Sequence, residues 1–193
     1  NRAVDFRGQK RSNATHGSLT DPDCRFVSKG SSGTGAHPGY TVNALMENRH
    51  RFLLGLGVEV FRSSASETEG SVQLLDRAHR RLRYEPKTFG ADKGFFSTGL
   101  IRTLLDRQIA PHIAADPRGR QPEHSRVRMR VRGVGYALSQ RARKKIEELF
   151  GEAKDWHGLR RFRCRGLDRV RQETLLMGWV LNLKRLARAL ETR

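Results

Sequence analysis

The sequence predicts an α/β fold, a mixed sheet flanked by helices. Strand-like apolar runs alternate with segments of helical period, their order reads β-β-α-β-α-β before two longer helices, and no fixed-period repeat points to a solenoid. At 193 residues the chain has the length of one domain, and although only 36% of it is hydrophobic, the apolar residues cluster in blocks able to form a core.

Residues 1–39 are polar and rich in Gly, Ser and Asp, with Thr20-Asp21-Pro22-Asp23 as a turn, so they read as a loop or arm preceding a core over 40–190. Residues 40–47 and 52–61 are two strand-like runs joined by Asn48-Arg49-His50-Arg51, the pattern of an antiparallel hairpin. A helix follows over 66–83. Val72, Leu75, Ala78, His79 and Leu82 fall on its apolar side, Ser66 with Glu69 makes a capping-box pattern, and Pro86 closes the segment. Thr88-Phe89-Gly90-Ala91 then reads as a short buried strand that delivers Asp92 at its C-terminal end, with Gly94 permitting a sharp exit. A second helix over 97–108 buries Leu100, Ile101, Leu104 and Leu105, and a strand over 109–115 is punctuated by Pro111.

Residues 116–136 hold two prolines, three glycines and many arginines without periodicity, which reads as a basic loop or hairpin insertion. Helical period returns over 139–152 and again over 167–190. The apolar side of the last helix reads as Leu175, Leu176, Trp179, Val180, Leu183, Leu186 and Leu190. Trp156 and Trp179 adjoin apolar helical positions and read as core or interface residues, and His79 as a core or boundary histidine.

Composition excludes several classes of protein. The best apolar stretch, residues 52–61, is broken by Gly55, Gly57 and Glu59 and falls short of the roughly 18 residues of a membrane span. Residues 1–11 carry charge and no apolar core, unlike a secretory leader, and no Met stands at position 1; a cytoplasmic protein with a truncated start is the expectation. Cys24 and Cys164 lie far apart and form no Cys-x-x-Cys pair, so they read as reduced thiols. Against these exclusions stands one strong positive signal. Lys and Arg number 38 and Asp and Glu 20, a net charge of +18, which draws in polyanions through counterion release. Nucleic acid is the expected partner, and the excess is concentrated at 126–132, 141–145 and 160–165.

One helix carries a candidate site. Taking about 100° per residue from Arg143, the side chains of Ile146, Leu149, Phe150 and Ala153 fall at about 300°, 240°, 340° and 280°, a core stripe. Glu147 and Lys154, at about 40° and 20°, share an edge with Arg143, whereas Glu148 at about 140° points away. Glu147 therefore borders the buried stripe, where a carboxylate can reach a cleft. The plain alternative is an amphipathic helix with surface ion pairs, and for Asp92 a helix cap.

Six segments carry a resemblance. They are Asp5-Phe6-Arg7-Gly8-Gln9-Lys10-Arg11-Ser12-Asn13, Thr20-Asp21-Pro22-Asp23, Ala44-Leu45-Met46-Glu47-Asn48-Arg49, Gly90-Ala91-Asp92-Lys93-Gly94-Phe95, Arg143-Lys144-Lys145-Ile146-Glu147-Glu148-Leu149-Phe150-Gly151, and Gly158-Leu159-Arg160 leading into Arg165-Gly166-Leu167-Asp168-Arg169-Val170. Over nearly its whole length the chain resembles the C-terminal part of the DDE transposases of bacterial insertion sequences, in the insertion-sequence-five group. Arg143, Glu147 and Lys154 fit the family's signature around its third carboxylate, with Gln140 where the signature has Tyr.

The resemblance implies an RNase H-like fold in which three carboxylates hold two Mg²⁺ (or Mn²⁺) ions for DNA strand cleavage and strand transfer. Asp92 resembles the second acid and Glu147 the third; Arg143, Lys154, Arg160, Arg161, Arg163 and Arg165 would contact DNA phosphates. The first acid belongs to the family's opening strand, ahead of the segment matching residues 1–13. Asp5, Asp21 and Asp23 share its residue type, but none follows an apolar strand. The expectation is a fold missing its opening strand, with unpaired neighbouring edges and little or no catalysis alone. Double-stranded DNA is the implied partner, and a homodimer is compatible with it.

Overall fold

Three separate pairs of strands, in place of the one mixed sheet expected, and five helices form the frame of this computed structural model, which describes residues 12–27, 36–61, 64–118 and 120–191, with 64–66 as backbone only. Strand β1 (Arg25–Val27) pairs antiparallel with β2 (His37–Gly39), so part of the segment read as an arm is a short ribbon. The hairpin over 40–61 is present as β3 (Thr41–Met46) antiparallel to β4 (Leu53–Glu59). Its loop is organised by one carboxylate. Glu47 accepts hydrogen bonds from the backbone N–H groups of Arg49 (2.8 Å), His50 (2.7 Å) and Phe52 (3.0 Å), which holds Arg51 in a left-handed turn at φ 65°.

Helix α1 (Ser64–Leu82) lies across the hairpin. Leu74 occupies the space left by Gly55 and Gly57 of β4, and a Cβ on Gly55 would come within 3.1 Å of it. The buried residues of α1 are Gly70, Ser71, Leu74, Leu75 and Ala78, while His79 and Leu82 are exposed, His79 lying 3.7 Å from Glu85. His79 is thus a surface residue and not a core one. The predicted capping box falls on Ser66, whose side chain lies outside the described residues, as does all of Asp5.

Strand β5 (Thr88–Ala91) pairs parallel with β6 (Ala110–Ile113), and helix α2 (Thr98–Asp106), capped by the Ser97 hydroxyl on Leu100 N–H, makes the crossover. Phe89, Leu100, Ile101, Leu104, Ile113 and Val127 fill the core beneath them. Val127 comes from the region read as a basic loop, which is instead helix α3 (Pro122–Val131) followed directly by α4 (Val134–Trp156). Pro122 sits in the first turn, where its missing N–H costs nothing, and only Val127 and His124 turn inward, three residues apart on one face. So thin an apolar stripe among arginines leaves almost no periodic signal.

Helix α5 (Leu167–Glu191) covers β4. Asn182 both donates to Leu53 O and accepts from Leu53 N–H, each at 2.9 Å, and Arg171 Nε donates to Val58 O at 3.1 Å, so side chains satisfy backbone groups of β4. Its buried face is Val170, Thr174, Met177, Gly178 and Leu181. The face chosen from sequence is the opposite one: Leu175, Leu176, Trp179, Val180, Leu183, Leu186 and Leu190 are 42–71% exposed. Gly178 explains the choice the fold makes, because the helix backbone approaches β4 so closely there that a Cβ would lie 2.5 Å from Leu56 Cδ1. Trp156 is exposed as well, so neither tryptophan belongs to the core.

Asp21 and Asp23 have structural partners. Asp21 accepts from Tyr40 OH (2.7 Å) and Gly166 N–H (3.2 Å), and Asp23 accepts from Leu167 N–H (2.9 Å), the first residue of α5. Burial and the Asp21 carboxylate push the Tyr40 hydroxyl well above its usual range, so it stays a donor at any physiological pH.

The three N–H groups on Glu47 outweigh its partial burial and lower its pKa from the ordinary 4.5. Its contribution is complete above the unfolded value and disappears as pH falls through the folded one. Glu47→Gln is expected to cost on the order of 1–2 kcal/mol in urea melts at neutral pH. The gap from wild type should narrow below about pH 4.

Candidate active-site cleft

A cleft of about 1030 Å³ opens between β3 and β5, roofed by α4. Among the described strands β3 pairs only with β4 and β5 only with β6, so each has one edge without a strand partner. Asp92 stands at the C-terminal end of β5, where the chain turns into a short 3-10 segment, Lys93–Phe95. Its Oδ1 accepts from Gly94 N–H at 2.8 Å, which fixes the carboxylate at the cleft and leaves Oδ2 for another partner. The cap reading of Asp92 therefore holds geometrically, alongside its place on the cleft wall. Lys93 pairs with Asp116 at 3.3 Å, tying together the ends of β5 and β6; hydrogen bonds from Arg118, reinforced by Lys93, hold Asp116 well below the usual carboxylate range.

Glu147 faces the same cleft from α4. Its side chain is 62% exposed and that of Glu148 59%, so burial does not separate these neighbours; direction does. Glu147 lines the cleft and pairs with Arg143 at 2.8 Å, whereas Glu148 turns to Lys145 (2.8 Å) and Arg51 (3.7 Å) at another site. Arg143 and Lys154 line the cleft with Glu147, the edge that the helical arithmetic defined. Arg160, Arg161, Arg163 and Arg165 do not; they are exposed on the connection between α4 and α5, where Arg160 pairs with Asp155 at 2.6 Å. Phe162 of that connection lines the cleft and meets Tyr40 edge-on, ring centroids 6.3 Å apart.

Gln140, noted in the sequence only as a departure from the family signature, is the residue that sets α4 against the sheet. Gln140 Nε2 donates to His112 O (2.6 Å) and Ala91 O (3.2 Å), and Gln140 Oε1 accepts from Arg143 Nε at 2.9 Å. Arg143 Nη1 then donates to Glu147. A continuous path thus runs from the strand ends beside Asp92 to Glu147. Gly90 allows the approach, since a Cβ there would sit 3.0 Å from Ser139 Oγ. The signal available in sequence was the four-residue spacing of Arg143 and Glu147; the bonds of Gln140 span 28 and 49 residues and leave no local pattern.

Five carboxylate residues line the cleft, Glu47, Glu67, Glu85, Asp92 and Glu147, hard oxygen donors of the type that Mg²⁺ prefers; Glu47 is bonded to the backbone of its own loop and Glu85 pairs with His79. Among the described residues no group of three or more His, Cys, Asp and Glu is gathered for a metal. The donor chemistry of Asp92 and Glu147 fits a divalent cation, with no third carboxylate gathered beside them among the described residues.

The profile of the transposase DDE domain matches residues 5–183, and the chain belongs to that family. Its domains are RNase H-like, act on DNA in transposition and typically use divalent metal, and the mixed α/β frame described above accords with that architecture. No match was found among curated proteins or among solved structures. No helix among the described residues is long and apolar enough to cross a membrane.

Gln140→Met, which keeps the volume but removes the amide, should lower stability by about 1–2 kcal/mol in denaturant melts. Arg143→Gln should cost less than about 1 kcal/mol, because the Glu147 carboxylate it leaves behind is 62% exposed and stays solvated. Equal losses for the two variants would contradict the positioning role of Gln140.

Proposed function

We propose that this chain is the catalytic domain of a bacterial insertion-sequence transposase of the insertion-sequence-five group, performing metal-dependent DNA strand cleavage and strand transfer, with Asp92 and Glu147 as two of its three carboxylates. The observation that carries the proposal is the meeting of these two acids at one cleft, from a strand end and a facing helix, between two strands with open edges. In this reading the cleft seats one further strand, parallel to β5 and antiparallel to β3, which brings the first acid and closes a five-stranded sheet. The 193 residues by themselves are then a catalytically incomplete fragment that binds DNA.

Mg²⁺ (or Mn²⁺) held by Asp92 and Glu147 would supply activation of the attacking oxygen and stabilisation of the leaving one. The chain's own residues do the positioning. Gly94 N–H orients Asp92, Arg143 and Gln140 orient Glu147, and Arg143 with Lys154 presents positive charge where a scissile phosphate would lie. Arg160, Arg161, Arg163 and Arg165, outside the cleft, hold the flanking duplex by its phosphates, a contact that positions DNA without reading its sequence. The duplexes are transposon ends and target, in the cytoplasm.

Two measurements test this reading. Supercoiled DNA with Mg²⁺ should stay uncut by the 193-residue chain and be cut by a chain extended at its N-terminus to supply an apolar strand ending in Asp. In that longer chain Asp92→Asn or Glu147→Gln should lower cleavage on the order of 100-fold or more. Cleavage indifferent to both substitutions sinks the assignment. For binding, replacing Arg160, Arg161, Arg163 and Arg165 by Ala should make the slope of log affinity against log salt shallower by about 0.9 for each phosphate that is no longer neutralised.

A further inference from the structure

We infer that the pocket between α4, α5 and the β3–β4 loop is a second phosphate-binding site, apart from the cleft, whose occupant is a backbone phosphate of a nucleic-acid strand. Five cationic side chains line this pocket of about 230 Å³: Arg51 from the loop, Lys145 from α4, and Lys184, Arg185 and Arg188 from α5. On α4 its residues Lys145, Glu148 and Glu152 fall at about 200°, 140° and 180° on the scale that puts Arg143 at zero, the side of the helix opposite Glu147 and Lys154. The thickness of α4, about 10 Å with its side chains, therefore separates the pocket from the cleft. A phosphate held here is not the one to be cut, and the site stands without Asp92 or Glu147.

The fold does not balance the charge of this pocket. Two carboxylates line it and both are shared: Glu148 with Lys145 (2.8 Å) and Arg51 (3.7 Å), Glu152 with Lys184 and His157 (3.5 Å). Arg185 has no ion pair among the described residues. Its Nη1 donates to Leu181 O at 2.7 Å, which fixes the guanidinium and leaves Nε and Nη2 for another partner. Burial, opposed by Glu152 and reinforced by Arg188 and Arg51, pulls Arg185 below the usual arginine range, so an anion between these guanidiniums stabilises all three. Arg51 is held at φ 65°, a conformation unfavourable for its side chain, by the loop that Glu47 organises, and from there it reaches Glu148 at the pocket. Size and charge select the ligand. The volume lies below the roughly 300–1,000 Å³ of small-molecule sites, so one phosphate group enters while sugar and base stay outside. Guanidinium forks match phosphate oxygens, and a chain of net charge +18 gathers polyanions, conditions that a phosphodiester strand running past the pocket meets.

Thermal melts of the full 193-residue chain in inorganic phosphate, against chloride at equal ionic strength, read the site directly. Phosphate at about ten times its Kd should raise the Tm of wild type by about 3 °C more than that of Arg185→Gln or Arg51→Asn, the second keeping a residue suited to the left-handed turn. In chloride Arg185→Gln should melt within about 1 °C of wild type or above it, because no ion pair is lost. On duplex DNA in EDTA each variant should make the slope of log affinity against log salt shallower by about 0.9, the share of one phosphate. Equal phosphate protection of all three chains, or a chloride melt of Arg185→Gln well below wild type, overturns the site. Protection that depends on Arg185 with an unchanged DNA slope overturns the nucleic-acid occupant in favour of free phosphate, and an equal loss of binding to poly-glutamate overturns the preference for phosphate. None of these readouts requires metal or cleavage, so failure here is distinct from failure of the proposed catalysis.

Discussion

The site depends on one side-chain amide. Gln140 spans two strand carbonyls with its nitrogen and holds Arg143 with its oxygen, so the register of α4 along the parallel strands follows from it. A helix laid across strand ends by apolar packing alone can slide or rotate at small cost, because dispersion and burial are not directional. Hydrogen bonds to fixed carbonyls are directional, and they convert a greasy contact between α4 and β5 into a defined placement of Glu147 with respect to Asp92. Leu149 and Ala153, sealed against Met177 and Leu181 on the other side of α4, supply the affinity of that packing, and Gln140 supplies its register.

The second constraint is the close approach of backbones. Gly55, Gly90 and Gly178 each mark a place where a neighbouring element comes within contact distance of a missing Cβ: Leu74 of α1, Ser139 of α4 and Leu56 of β4. These approaches draw three helices onto two small pairs of strands that bury little by themselves. They also leave the cleft bordered by β3 and β5, because the helices fill the faces of the strand pairs and not the gap between them.

Much of the frame was legible in the sequence wherever one apolar periodicity dominated. The hairpin, the two short strands with a helix between them, and the direction of Glu147 as opposed to Glu148 all follow from apolar patterning or from angular spacing. Three features were hidden for physical reasons. Helix α3 turns only Val127 and His124 inward among arginines, too few to register as a stripe. Helix α5 is apolar on two faces, and the buried one includes Thr174 and Gly178, residues whose burial depends on a close neighbour and not on their own hydrophobicity. Gln140 acts through partners distant in sequence, which no spacing rule records.

The bond from Leu167 N–H to Asp23 joins residues 144 apart and completes the first turn of the final helix with a group from near the other end of the chain. Closing a loop of that length costs chain entropy that one hydrogen bond does not offset, so the contact depends on the packing of the residues between. During synthesis the helix start emerges long after its cap and must wait for the body between them. Once docked, the two ends share one fate: local opening of the segment around Asp21 and Asp23 exposes the amides of Gly166 and Leu167 together, so their hydrogen exchange reports on a single closing event.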